Sequence, residues 1–296
     1  MSQTSYLKKS PIIGFVRYSQ KIEFGGNVRN MFEPEYFEYR YKIFTDITLK
    51  SFQQQTNPNF ILFVLHSENM PQPYKERFLK LEKENAFLHN IFMHDTKEAF
   101  DEALAGSVNF ADFENNVAIT FRVDNDDAVQ GDYIEKLNTF LKEEFAETCI
   151  SIPLMYRLKR IAEKSFMVED FYFPANAVGL AYVTTKENYR TVSELGDHDL
   201  VNNKNKMILM PKNSGGGIMT INGENAINWI DPSKAKILST EELQKYFADK
   251  QLKNLDLESL RIFPDETASF KFRLNKKLKL LVPPIFQVVS NKINSK

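Results

Sequence analysis

Three carboxylates fall within four positions at Asp124, Asp126 and Asp127, with Asn125 filling the gap. They close the run Val117-Ala118-Ile119-Thr120-Phe121-Arg122-Val123, whose apolar and β-branched residues suit a buried strand. The acids then belong at the strand's C-terminal mouth, the edge of an α/β sheet where ligands bind. Carboxylates crowded there repel one another unless positive charge compensates, and a divalent cation with a diphosphate would do so. The plain alternative is a solvated acidic turn, because Asp and Asn are ordinary turn residues. If strand geometry persists through 124–126, Asp124 and Asp126 point to one side. On that reading Asp126 is the primary ligand of Mn²⁺ or Mg²⁺, Asp124 the second and Asp127 the third.

Two arginines bracket this cluster. Arg17 ends a first strand-like run, Pro11 to Tyr18, and Arg122 directly precedes the acids. A guanidinium holds phosphate bidentately, or it pairs with a carboxylate of the cluster itself. For a general base the candidates are Glu169 and Asp170, which follow Phe166-Met167-Val168, with Glu194 and Asp197 as rivals. Asp170 is the first choice among them. His66 ends a strand and is placed to touch substrate, while His89 and His94 read as ordinary helix-end and strand-end residues. The single cysteine, Cys149, excludes an internal disulfide and a Cys-based zinc site, and its apolar neighbours favour a structural thiol over a nucleophile.

The elements around these residues alternate. Apolar positions recur at helical spacing from Phe37 through Gln55, and Phe60 to His66 is an almost unbroken apolar run, as in a strand covered on both faces. Strand, helix, strand in that order is a βα repeat and predicts an α/β fold with a mostly parallel central sheet flanked by helices. Pro73 to His89 is a second helix, Ile91–His94 a short strand, and Thr96–Leu104 a third helix. Asp132 with Glu135 looks like a capping box opening a helix that runs to Phe145. An extended segment follows at 148–154, and beyond Arg160 the pattern loses regularity, with extended pieces near 171–173 and 178–183. Gly215-Gly216-Gly217 is the most glycine-dense point. It predicts either a positive-φ residue or a mobile loop.

The bulk properties bound the class. The chain has 296 residues, 43% hydrophobic and 26% charged, with a net charge of −1. Those values describe a globular protein with no global tendency to bind nucleic acid. No signal peptide is evident and no run approaches the roughly 18 apolar residues of a spanning helix, so a cytoplasmic location is expected. From Lys271 onward there are seven basic residues and no acid, interleaved with Leu and Val. That segment either lies against an anionic membrane at its cytoplasmic face or packs on the core, and Pro283-Pro284 breaks any continuous amphipathic helix.

Taken together the motifs resemble a bacterial glycosyltransferase family of rhamnosyltransferases. The resemblance rests on Phe15-Val16-Arg17-Tyr18, on Arg40-Tyr41-Lys42-Ile43-Phe44, on Thr48 to Thr56, and on Phe60 to Leu65 with Glu68 and Pro71. Its most specific part is Thr120-Phe121-Arg122-Val123-Asp124-Asn125-Asp126-Asp127-Ala128, close to a Thr-Arg-Leu-Asp-Asn-Asp-Asp-Ala signature with Phe121 inserted. Asn176, Thr191-Val192 with His198 and Leu200, and Asn222-Gly223-Glu224-Asn225 carry it thinly over the second half. The chain departs from the family at Asn222, where a histidine is expected, at the absence of an acid soon after Asn176, and at the run Gly215–Gly217.

The resemblance implies a GT-A-like fold, a Rossmann-like nucleotide-sugar-binding sandwich. It implies a single domain over 1–270, with a donor half at about 11–145 and an acceptor half at about 146–240, followed by the segment 271–296. Arg17, Asp46, Arg122, Asp124, Asn125 and Asp127 are its donor-binding candidates, with Thr45 and Gln55 nearby. His198 joins Asp124, Asp126 and Asp127 as a metal ligand, since imidazole suits Mn²⁺; Asp197-His198-Asp199 reads equally as an exposed loop. The expected reaction moves a hexose or deoxyhexose, rhamnose among them, from a nucleoside-diphosphate sugar to a glycan or lipid-linked glycan of a capsule or lipopolysaccharide. Two alternatives compete. A sugar-phosphate nucleotidyltransferase uses a similar sheet, but Arg17-Tyr18-Ser19-Gln20-Lys21 lacks a glycine-rich loop. A non-catalytic carbohydrate-binding relative would fit the second-half departures.

Overall fold

The computed structural model describes residues 10–19, 31–110, 113, 116–196, 201, 205–211, 215–223 and 229–262. β1 (Ile12–Arg17) leads to one long helix, made of α1 (Pro34–Ile43), a π-turn (Phe44–Leu49) and α2 (Lys50–Gln53). Then come β2 (Ile61–Ser67), α3 (Gln72–Glu84), β3 (Leu88–Met93), α4 (Lys97–Ala105), β4 (Val117–Arg122) and α5 (Tyr133–Asn138). The second half is mostly strand: β5 (Thr148–Ser151), β6 (Leu154–Ala162), β7 (Ser165–Tyr172), β8 (Leu180–Thr185), β9 (Lys206–Leu209), β10 (Gly217–Thr220) and β11 (Ala235–Ser239). Helix α6 (Thr240–Ala248) ends the regular elements apart from a short 3₁₀ turn at Leu257–Ser259.

Among the described residues the strands form two sheets. The larger has seven strands in the order β3-β2-β1-β4-β8-β5-β9, and the smaller four in the order β10-β6-β7-β11. In the larger sheet β1 to β4 pair in parallel, β8 runs antiparallel to both β4 and β5, and β9 is parallel to β5. The result is the expected α/β sandwich with a mixed, mostly parallel sheet. All seven residues of β2 are buried, which is why its sequence shows no polar alternation.

The inserted Phe121 is a core residue. It lies opposite Gly14 in the β1–β4 register, and a side chain at Gly14 would come within 2.3 Å of the Phe121 ring. The ring occupies that space and packs on Phe52 and Tyr133. With Phe121 turned inward, the pleat sends Thr120 and Arg122 to the opposite face.

The long first helix serves two cores. Phe37, Phe44 and Phe52 pack on the large sheet, whereas Tyr39, Ile43 and Ile47 pack against Tyr156, Phe166 and Phe247 of the small-sheet layer. The π-turn lies in the stretch where these two faces diverge, a location where such turns let a helix change the direction of its side chains.

Four expectations need correction. The helix from 132 stops at Asn138, and Asp132 does not cap it: the carboxylate pairs with Lys136 at 2.8 Å, and Glu135 accepts instead from the Thr56 hydroxyl at 2.6 Å. β3 begins at Leu88, so His89 is a strand residue. The region beyond Arg160 is regular, forming the long β6–β7 hairpin with a bulge between Arg160 and Ala162. Gly216 and Gly217 are not a lid. A side chain at Gly216 would lie 2.2 Å from the Leu154 carbonyl, and one at Gly217 would lie 2.7 Å from the Ala128 carbonyl, so both are packed against backbone. The positive-φ expectation holds at Gly215, with φ +82. Gly25, Asn213, Ser214 and the segment 271–296 lie outside the described residues.

Candidate functional site

β1 and β4 are adjacent and parallel, so their C-terminal ends open on the same edge of the large sheet. Arg17 and Arg122 end these strands, and Asp124 follows. The two guanidinium groups sense each other: Arg17 has a lowered pKa, from enclosure by surrounding protein and then from Arg122, and Asp124 partly offsets both. Two cations and one carboxylate meet at this edge, a set able to engage an anion.

Beyond Val123 the strand does not persist. The Asp127 N–H donates to the Asp124 carbonyl at 3.2 Å, closing a turn, so Asp124 and Asp126 do not simply point the same way. Each side chain of the turn has its own partner. The Asn125 amide donates to the Tyr18 carbonyl at 3.1 Å and ties the turn to the end of β1. Asp126 Oδ2 accepts from Arg40 Nη1 at 3.2 Å and from Asn222 Nδ2 at 2.8 Å. Asp127 Oδ1 accepts from the Thr220 N–H at 3.0 Å, while the Thr220 hydroxyl donates to the Asp126 carbonyl at 2.9 Å. Ala128 and Ile218 exchange two backbone bonds and fasten the turn to β10.

Electrostatics follow from this packing. Arg40 is buried, which disfavours its charge, but Asp126, Tyr36 and Tyr18 together outweigh that and raise its pKa. The Asp127 carboxyl is pushed well above the usual range by burial, then by Asp126 and Asp124; the Thr220 N–H and Arg40 act in the opposite sense. The three acids thus crowd one another, and Asp124 is the most accessible of them.

The other candidates disperse. Asp46 lies in the π-turn, where its carboxylate takes Lys42 Nζ at 2.5 Å and its carbonyl accepts from Asp256 N–H. The Thr45 hydroxyl bonds back to the Tyr41 and Lys42 carbonyls. Gln55 donates to the Gln130 carbonyl at 2.8 Å and accepts from Ile134 N–H at 3.0 Å, bracing the chain behind the acidic turn. Glu169 and Asp170 occupy opposite faces of β7. Glu169 is buried and pairs with Arg157 at 3.4 Å, whereas the Asp170 carboxylate accepts from the Tyr246 hydroxyl. The Glu194 carboxylate accepts from Thr191 N–H and caps its own turn. Asp197 and His198 lie outside the described residues.

His66 does not reach a substrate surface. It is fully buried among Tyr18, Phe78 and Phe92, bonds Asn90 at 2.9 Å, and burial pushes its pKa down to about 3. Burial likewise pushes the Cys149 thiol up to about 12, as a structural cysteine requires.

Sequence reasoning missed two partners of Asp126. Arg40 sits among the buried Tyr36, Phe37 and Tyr39, and an arginine inside such a patch is the signal of a paired charge. Asn222 comes from the distal half, and no local pattern links it to position 126.

Residues 5–228 match the model of the family described as "Putative rhamnosyl transferase". No curated protein matches the chain. Among solved structures it is similar to S. aureus TarS 1–349 in complex with UDP, at 12% identity and TM-score 0.41 over 71% of this chain and 60% of that one. S. aureus TarS is similar at 12% and 0.41, over 72% of this chain and 37% of that one. A Bacillus anthracis "Putative Glucose-1-Phosphate Thymidylyltransferase", in complex with a sucrose, follows at 9% and 0.32, over 84% and 98%. The chain spans between 35% and 60% of the length of the TarS structures it matches.

Proposed function

This chain belongs to the rhamnosyl transferase family, and we propose that it is a GT-A-like glycosyltransferase moving a hexose or deoxyhexose from a nucleoside-diphosphate sugar to a growing bacterial surface glycan. The observation that carries this reading is the convergence of Arg17, Arg122 and Asp124 on one sheet edge, beside a turn whose Asp126 is reached from the distal half by Asn222. Glycosyl transfer releases a diphosphate, and its developing charge must be met by fixed cations or dipoles. Arg17 and Arg122 supply two such charges at the strand ends.

Mn²⁺ or Mg²⁺ is part of the proposal. Among the described residues no group of three His, Cys, Asp or Glu side chains could hold a metal by itself. A Mg²⁺-type site needs only one or two carboxylates when substrate phosphates complete the oxygen shell. Asp124 and Asp126 are the carboxylates of this reading, with the Asn222 amide 2.8 Å from Asp126 Oδ2. Burial raises the Asp127 pKa most, Asp126 and Asp124 add to it, and a cation would relieve the crowding of the three acids. When bound, it would compensate charge on the departing diphosphate.

Calorimetry with dTDP-, UDP- and GDP-linked sugars, with and without Mn²⁺, tests the reading. At least one donor should bind, more tightly with metal, and Asp124→Asn should weaken it. Absence of binding by every donor would sink the proposal. Release of pyrophosphate from a nucleoside triphosphate and a sugar phosphate would instead mark a nucleotidyltransferase.

A further inference from the structure

The small sheet carries an aromatic feature that the donor edge does not use. Phe171 and Phe173 stand two residues apart at and just beyond the end of β7, so alternation turns both the same way. Their rings are stacked, with centroids 6.2 Å apart and planes at 22°, and both residues are only half-buried. Behind Phe171 lies the Arg157 guanidinium, 3.3 Å from the ring centroid. Arg157 is itself 1% exposed and paired with Glu169. A buried arginine stacked on a ring face holds that ring in one orientation. Phe171 is therefore fixed from behind while part of it faces outward.

The position of this pair ties it to the donor edge on two sides. Across the sheet, Phe171 neighbours Met155, and Met155 neighbours Gly217. Gly217 in turn packs on the carbonyl of Ala128, the residue after the acidic turn. Two strand spacings, about 10 Å, separate the Phe171 backbone from that contact. Along the chain, Phe173 leads through 174–178 to Gly179, whose N–H donates to the Arg122 carbonyl at 3.0 Å.

We propose that Phe171 and Phe173 form an acceptor subsite on which a pyranose ring of the glycan stacks through its C–H face, with Arg157 as the positioning residue behind it. The inference rests on the glycosyltransferase reading above. Patch size favours a sugar over a protein partner. Two aromatic side chains offer at most about 500 Å² even when fully exposed, against roughly 800 Å² per partner in a stable protein interface. A sugar ring needs only a flat apolar surface of this size with water at its rim, where its hydroxyls stay hydrated.

Saturation-transfer NMR on the full chain, with the methyl pyranosides of glucose, galactose, mannose, rhamnose and N-acetylglucosamine as probes, decides the matter. At least one probe should receive saturation. The signal should fall tenfold or more in Phe171→Ala/Phe173→Ala and persist in Phe171→Tyr/Phe173→Tyr. Phe173→Ala alone, which leaves the Arg157 stack intact, carries the same expectation if the double variant does not fold. No transfer from any probe, or transfer undiminished by the alanine changes, would overturn the platform. Nucleotide-sugar calorimetry on the same samples separates the two ideas: intact donor binding with no pyranoside signal removes only the acceptor subsite, whereas loss of all donor binding removes the transferase reading.

Discussion

Removing the Arg40 guanidinium should expose how the acidic turn is held. Its Nη1 lies 3.2 Å from Asp126 Oδ2, and the two side chains are 12% and 4% exposed. In Arg40→Met the Asp126 carboxylate stays buried beside Asp127 and loses its charged partner. Breaking a buried pair from one side typically costs about 3–5 kcal/mol. The Asn222 amide still donates at 2.8 Å, which places the expected loss at the lower end, about 3 kcal/mol. For a chain of this size that is a fall in Tm of roughly 5 °C. Thermal unfolding in EDTA, followed by circular dichroism, gives the number. Asp126→Asn added to Arg40→Met should recover part of the loss, because the buried charge disappears with its partner. A double-mutant cycle should then show coupling of about 1–3 kcal/mol. Losses that add within about 0.5 kcal/mol would mean the pair does not act as a unit, and the reasoning would fail.

Three further outcomes follow from particular contacts. His66 has a folded pKa of about 3 against 6.5 unfolded, so its contribution is complete above pH 6.5 and is lost as pH falls from there toward 3. The total is up to about 5 kcal/mol. Urea midpoints at pH 7.5 and 4.5 should show His66→Phe losing less stability on acidification than the native chain by about 3 kcal/mol, and equal losses would refute the assignment. Gly216→Ala places a methyl against the Leu154 carbonyl, which is backbone and cannot move aside, so it should cost about 1–3 kcal/mol or more in denaturant titrations; a neutral effect would show that β10 is not seated as described. Arg17→Gln removes one charged hydrogen bond to a diphosphate, worth about 1.5–3 kcal/mol, and should weaken donor binding by roughly 10–150-fold in calorimetry. Unchanged affinity would move the diphosphate elsewhere.

The parts of this molecule legible in its sequence are those where local pattern and tertiary environment agree. The first five residues of β2 are apolar because the strand is covered on both faces, and Arg17, Arg122 and Asp124 fall at strand mouths because charge cannot continue a buried strand. The small sheet was hidden for the opposite reason. β6 carries Arg157 and Lys159 at positions that are buried, so its alternation reads as solvent-facing when it is not. Asp132 illustrates a local motif that lost to a nearer partner, Lys136. The side-chain roles in the acidic turn were beyond sequence pattern altogether, since Arg40 and Asn222 reach Asp126 across 86 and 96 residues.

Those long-range partners explain why the turn belongs to both halves of the chain. On the large sheet alone, Asp124 to Asp127 would be a polar turn free to rearrange around its own charge repulsion. The Tyr18 carbonyl holds Asn125 on the β1 side. Arg40, from a helix shared by the two cores, neutralises Asp126, and β10 fixes what remains through Thr220, Ile218 and Asn222. These tethers satisfy polar groups buried at the turn, and leaving one such group unsatisfied costs about 1–3 kcal/mol. The small sheet therefore sets the geometry of carboxylates that the large sheet presents. A change in β10 should alter donor binding even where it touches no donor atom, and that coupling is what makes the seam between the sheets the place to look for function.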